Sequence, residues 1–199
     1  MLTKENLFII SSLEKTYIQM YKEINLKEIN SPSEVSYQEH WPIEHYSLDI
    51  AHLTKKHDVK TILDYGCSDG TQYTRMRLHE KYDYPLPYLY EPSIPFFSKF
   101  PTRTFDMVIC TDVMEHVTLP LVEQILARIM FYADKVVYMS IADTPANLIL
   151  SNGENAHCTL KPAEWWVEKI VQAKSFIQKP NLKVYLNYGM KATRQKLVI

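Results

Sequence analysis

The sequence predicts an α/β fold: a doubly wound, mostly parallel sheet closed by a terminal antiparallel strand pair. Three observations predict it. From residue 59 onward strand-like runs alternate with helix-like stretches, the order that a parallel sheet with crossover helices requires. Val59 to Asp64 lacks apolar–polar alternation and ends at an acid followed by Gly66 and Gly70, as a strand buried on both faces does before a glycine turn. The last two strand-like runs, Leu182 to Asn187 and Lys196 to Ile199, have no helix-length gap between them, so they should pair antiparallel.

The elements follow in order. Residues 3 to 25 predict an amphipathic helix, because Ile10, Leu13, Tyr17, Met20 or Tyr21, and Ile24 recur at three- and four-residue steps. Thr3 is its candidate cap. Ser31-Pro32-Ser33 ends the pattern. In the aromatic, polar stretch that follows, which also holds Tyr37 and Tyr46, His40, Trp41 and His45 form a candidate lid. A helix is expected from Glu44 to His57, with Leu48, Ala51 and His52 on one face. Residues 1–58 thus read as an N-terminal helical segment or lid packed on a core of residues 59–199. In that core the first strand leads to a helix over 72–82. Pro85 and Pro87 lead into a second strand, Tyr88 to Tyr90, ended by Glu91-Pro92. Ser93 to Thr104 is too short and too broken by proline for a further helix and strand. A third strand covers Phe105 to Cys110. Thr118 should cap a helix reaching Tyr132, with Pro120 tolerated in its first turn. A fourth strand, Lys135 to Ile141, precedes a long polar loop from Ala142 to Leu160. Pro162 starts a helix containing Trp165 and Trp166. Adjacent helical residues point about 100° apart, so one of these tryptophans belongs in the core.

Composition narrows the function classes. Hydrophobic residues make up 46 % and charged residues 23 % of 199, enough for one domain with a real core. A net charge of −1 offers no general basic surface to nucleic acid or an anionic membrane. No apolar run approaches the ~18 residues of a membrane span. Cys67, Cys110 and Cys158 are odd in number and widely spaced, which predicts a reduced, cytoplasmic setting rather than a disulfide framework. The histidines at 40, 45, 52 and 57 match no ligand spacing, so no metal is expected. Oligomeric state is not legible.

The chemistry concentrates in Asp64-x-Gly66-x-Ser68-x-Gly70. Glycine lets a ligand approach the backbone and permits positive φ. The spacing is not the dinucleotide pattern G-x-G-x-x-G, which disfavours a nucleotide-dependent oxidoreductase. Glu91 ends the second strand, where a carboxylate can accept both ribose hydroxyls of a nucleoside. His157, in the polar loop, is a candidate general base near neutral pH.

The acid-x-Gly-x-small-x-Gly layout resembles the first motif of class I S-adenosylmethionine-dependent methyltransferases, whose middle glycine is Ser68 here. Phe105 to Val117, opening Phe-Asp and reaching Glu115-His116, is similar to the family's strand and following loop. The resemblance covers residues 59–199. It implies a Rossmann-like fold with one strand–helix unit reduced or missing, and S-adenosyl-L-methionine as cofactor. By matching position it implies cofactor contacts from Asp64, Gly66, Cys67, Gly70, Glu91, Cys110, Thr111 and Asp112. His157 is then the first candidate base and His116 the second. The family's nucleic-acid signature, Asp/Asn-Pro-Pro-aromatic, is absent after the strand at Phe105, so a small-molecule oxygen or nitrogen acceptor is expected. Residues 1–58 and the 142–160 loop are left to select it. A catalytically silent, methyltransferase-like binding or partner protein is the alternative.

Overall fold

Among the described residues, six strands form one sheet. The structure, a computed structural model, describes residues 3, 5–30, 42–189 and 195–199. The strands are β1 (Ile62–Tyr65), β2 (Tyr88–Tyr90), β3 (Phe105–Thr111), β4 (Ala133–Ile141), β5 (Lys183–Tyr188) and β6 (Gln195–Val198), and their order across the sheet is β2-β1-β3-β4-β5-β6. All neighbours are parallel except β5 and β6, which pair antiparallel as the short connection requires. Among the described residues no helix is long and apolar enough to cross a membrane.

Successive strand residues point to opposite faces, and this splits the core in two. Leu63, Tyr65, Val108, Cys110, Val137, Met139, Val184 and Leu186 face one way. They pack against α5 (Val122–Tyr132) and α6 (Ala163–Ile177). Ile62, Met107, Ile109, Val136 and Tyr138 face the other way, against α2 (Pro42–Lys56) and the segment from Tyr73 to Tyr84. Trp166 is fully buried and Trp165 only partly, the division expected for adjacent helical positions.

Several boundaries differ from expectation for local reasons. Helix α1 is Ser12–Asn30 rather than 3–25. Its start is capped by a side chain: Ser11 Oγ accepts the Glu14 amide at 3.1 Å. Upstream, the carbonyls of Asn6, Leu7 and Ile9 are taken by Gln124 and Arg128 side chains of α5, so they are unavailable to a helix. Thr3 instead closes a reciprocal turn with Asn6. The Arg128 guanidinium also forms a buried pair with Glu14, fastening the N-terminal segment to the core.

In α2, Pro42 takes the first position, where a missing N–H does no harm. Its inner face is Tyr46, Ile50, Ala51 and Leu53, while Leu48 is 71 % exposed and His52 is also outside. Tyr37, His40, Trp41 and the side chain of His45 lie outside the described residues. The expected helix over 72–82 is two short turns, α3 (Thr71–Thr74) and α4 (Leu78–Lys81), separated at Arg77 with φ 50°. Tyr73 and Leu78 are both buried, yet five residues along a straight helix they would point about 140° apart. The break lets both reach the sheet. Thr118 makes no capping bond, and a 3₁₀ turn, Leu119–Leu121, precedes α5. Residues 91–104 run as turns without helix or strand, so β2 forms one edge of the sheet.

Candidate functional site

β2 and β3 lie on opposite sides of β1. The chain therefore reverses winding direction there, and ligands of open α/β sheets bind at such switch points, beyond the carboxyl ends of the strands. The loops after β1, β2 and β3 meet at this crevice, as the loop after β4 does farther along.

The loop after β1 is tied down from below. The Gly66 and Cys67 amides both donate to the Tyr90 carbonyl, at 2.8 and 3.2 Å. Gly66 has φ 91°, and a Cβ there would fall inside contact distance of Val113 Cγ2. Gly70 has φ 71°, and its Cβ would meet Leu89 Cδ1 at 2.9 Å. Both glycines are thus required by the protein's own packing, whatever else approaches them. Ser68, in place of a glycine, still adopts φ 51°, a strained conformation for a residue with a side chain. Asp69 Oδ1 accepts the Thr71 amide at 2.9 Å.

Asp64 does not reach into the crevice. It is 2 % exposed on β1, and its Oδ2 accepts the Tyr73 hydroxyl at 2.7 Å. Burial pushes its carboxyl up to about 7, against hydrogen bonds from Tyr73 and Gln72. Cys67 and Cys110 are buried and burial raises their thiols, so neither is an activated nucleophile.

Glu91 is in position at the end of β2 but already engaged. Its Oε1 accepts the Ser93 amide at 3.0 Å and the Ser93 hydroxyl at 2.5 Å. Burial raises its carboxyl, while bonds from Ser93 and the Ser68 amide hold it down. Any ligand hydroxyl donating to this oxygen would compete with Ser93. That competition could not be read from sequence, although a serine two residues after an acid is a common local partner.

After β3, the buried Thr111 leads to Asp112 at φ 51°. The Asp112 amide donates to Ser140, and the Ser140 hydroxyl returns a 2.6 Å bond to Asp112 Oδ1. The next turn, Met114–His116, is 3₁₀. Glu115 is fully buried; its Oε1 accepts the Ala142 amide at 2.9 Å. Burial and the nearby Asp112 carboxylate push Glu115 well above the usual carboxylate range.

The two candidate bases meet here. The Thr159 amide donates to the Glu115 carbonyl and the Thr159 hydroxyl to the Val117 carbonyl, so residues 156–159 run beside 115–117. The rings of His116 and His157 stand edge to face with centroids 4.6 Å apart. His116 Nδ1 lies 3.0 Å from the Ala156 carbonyl and His157 Nδ1 2.5 Å from the Thr144 carbonyl. A carbonyl only accepts, so each Nδ1 carries the proton and each Nε2 the lone pair. Tyr21 of α1 braces His116 Nδ1 at 3.1 Å and donates to the Ala156 carbonyl at 2.9 Å. Asn155 holds the loop: its side chain bonds both the amide and the carbonyl of Ala146 and accepts the His157 amide. The bracing roles of Glu115, Asn155 and Tyr21 depend on contacts with residues well separated from them in sequence. α1 and the turn at Ser151-Asn152 also line an open groove of about 510 Å³, where the two stretches assigned to substrate selection come together.

The structure therefore brings Gly66, Gly70, Glu91, Thr111, Asp112, His116 and His157 to one edge of the sheet, and leaves Asp64, Cys67 and Cys110 inside. No protein-family model matches this chain, and no curated protein matches it.

Proposed function

We propose that this protein is an S-adenosylmethionine-dependent methyltransferase acting on a small-molecule oxygen or nitrogen acceptor by in-line transfer. The observation that carries the reading is the meeting, at the β1/β3 switch point, of the Gly66–Gly70 loop, Glu91 and the Thr111–His116 segment. These are the stretches, in the order, that resemble the methyltransferase family. The cofactor's methyl carbon is activated by its own positive sulfur. The chain's residues then bind, orient and exclude water. Glu91 would hold the ribose hydroxyls, and the backbone around Gly66 and Gly70 the amino-acid end. His157 would take a proton from the acceptor at Nε2, since its Nδ1 proton is held by Thr144. The groove between α1 and residues 151–152 would admit the acceptor.

Calorimetric titration of the purified chain with S-adenosylmethionine, S-adenosylhomocysteine and NAD tests the proposal. Both sulfur compounds should bind and NAD should not. Glu91→Ala should weaken binding more than tenfold, about 1.4 kcal/mol, as expected for losing charge-assisted bonds to two hydroxyls. A second reading, a catalytically silent relative, draws support from Val113 filling the space over Gly66 and from Ser93 on Glu91. Absence of binding by both sulfur compounds would favour it.

A further inference from the structure

We propose that Glu115, His116 and His157 form a binding site for one divalent transition-metal ion of the zinc class. One ligand atom from each of the three lies within 4.8 Å of the other two. Ligand atoms around a tetrahedral zinc stand about 3.3 Å apart, so a side-chain adjustment of about an ångström closes the set. Two imidazoles and one carboxylate are a recognised donor set for zinc, and with positions left open for iron.

Three further observations point to a cation rather than to packing alone. First, Glu115 Oε2 is fully buried and has no hydrogen-bond partner among the described residues. A buried carboxylate oxygen without a partner is costly, and a metal ion satisfies it. Second, each histidine directs its Nδ1 proton to a main-chain carbonyl, Ala156 for one and Thr144 for the other. Metal-ligating histidines are braced in the same way, and the arrangement leaves Nε2 as the atom each ring can offer to a cation. Third, the three residues are held by separate braces: Glu115 by the Ala142 amide, His116 by Tyr21, and His157 through Asn155. Both histidines are only partly buried, which leaves an entry path and a fourth position open to solvent.

The site is independent of the methyltransferase reading. If that reading also holds, and this step alone rests on it, the ion would take an acceptor hydroxyl as fourth ligand and lower its pKa, so that the hydroxyl proton passes to solvent water rather than to His157.

The test uses the full chain, stripped with a chelator, reloaded with Zn²⁺, dialysed and counted for metal. Co²⁺ loading gives a parallel reading from its visible absorption. One zinc per chain is expected. His157→Ala and His116→Ala should each lower zinc affinity at least about 100-fold, since losing an outer-shell partner alone costs 10–100-fold. His52→Ala, at an exposed histidine elsewhere, should bind as the parent does. Circular dichroism checks that each variant is folded. The His157 variant carries the test if Glu115→Gln does not fold. Failure to retain zinc, or parent-like affinity in folded His157→Ala, would overturn the site. Titrating the zinc-free and zinc-loaded chains with S-adenosylmethionine separates the two proposals: zinc retained without sulfonium binding leaves the metal site standing and removes the methyltransferase.

Discussion

Asp64→Asn should remove a pH dependence from the stability of this protein. The Asp64 carboxyl is 2 % exposed and accepts a 2.7 Å bond from Tyr73. Because burial raises it to about 7 from an unperturbed 3.8, the folded chain holds this proton more tightly than the unfolded chain. The resulting stability is fully present below the unfolded value and is lost as pH rises to about 7. That interval corresponds to roughly 4 kcal/mol at about 1.36 kcal/mol per tenfold. Asparagine keeps an oxygen to accept from Tyr73 and cannot ionise. Relative to the parent, the variant should therefore gain about 2–4 kcal/mol between pH 4 and pH 8. Urea denaturation at both pH values, followed by the fluorescence of the buried Trp166, measures this. Comparing the two proteins cancels the common contributions of Glu91 and Glu115, which burial also raises. A difference that does not change with pH would refute the reasoning.

Other perturbations probe the frame of the site. Gly66→Ala should destabilise by about 2–4 kcal/mol, from the positive φ and the collision with Val113. Adding Val113→Ala should recover part of that loss in thermal denaturation, and no recovery would mean that the backbone strain alone is responsible. Arg128→Met leaves Glu14 buried without its partner and should cost about 3–5 kcal/mol. Hydrogen exchange should then rise in residues 6–20; unchanged protection there would show that the segment is held by Leu7 and Met20 instead.

The parts of this fold that were legible are those written in local chemistry. Gly66 and Gly70 after an apolar strand announced the turn, and the short gap before Lys196 announced the antiparallel pair. Pro95 and Pro101 ruled out a helix in the stretch after Glu91. What escaped is what depends on partners distant in sequence. Thr3 was the expected cap of α1, and the helix instead starts at Ser12 because Arg128 and Gln124, distant in sequence, draw off the carbonyls of Asn6, Leu7 and Ile9. Leu48 carries an apolar side chain on the outer face of α2, and only the sheet decides which face is inner. The candidate site shows the same division. The glycine loop, Glu91 and the histidines were identified individually. The grouping of Glu115, His116 and His157 was not, because it exists only once β3 and β4 lie side by side and Thr159 fastens their loops together.

The short strand β2 has a consequence beyond the crevice. It spans three residues, with Pro87 before it and Pro92 after it. An outer strand normally offers a row of unpaired amides and carbonyls on which another extended chain can grow. Here prolines flank the row, which is too short to nucleate such growth. On the opposite border, β6 carries Lys196, bound to Asp49 at 2.9 Å, and a charge there discourages a foreign strand in the same way. With β2 this short and β6 carrying a charge, the sheet is difficult to extend from either side.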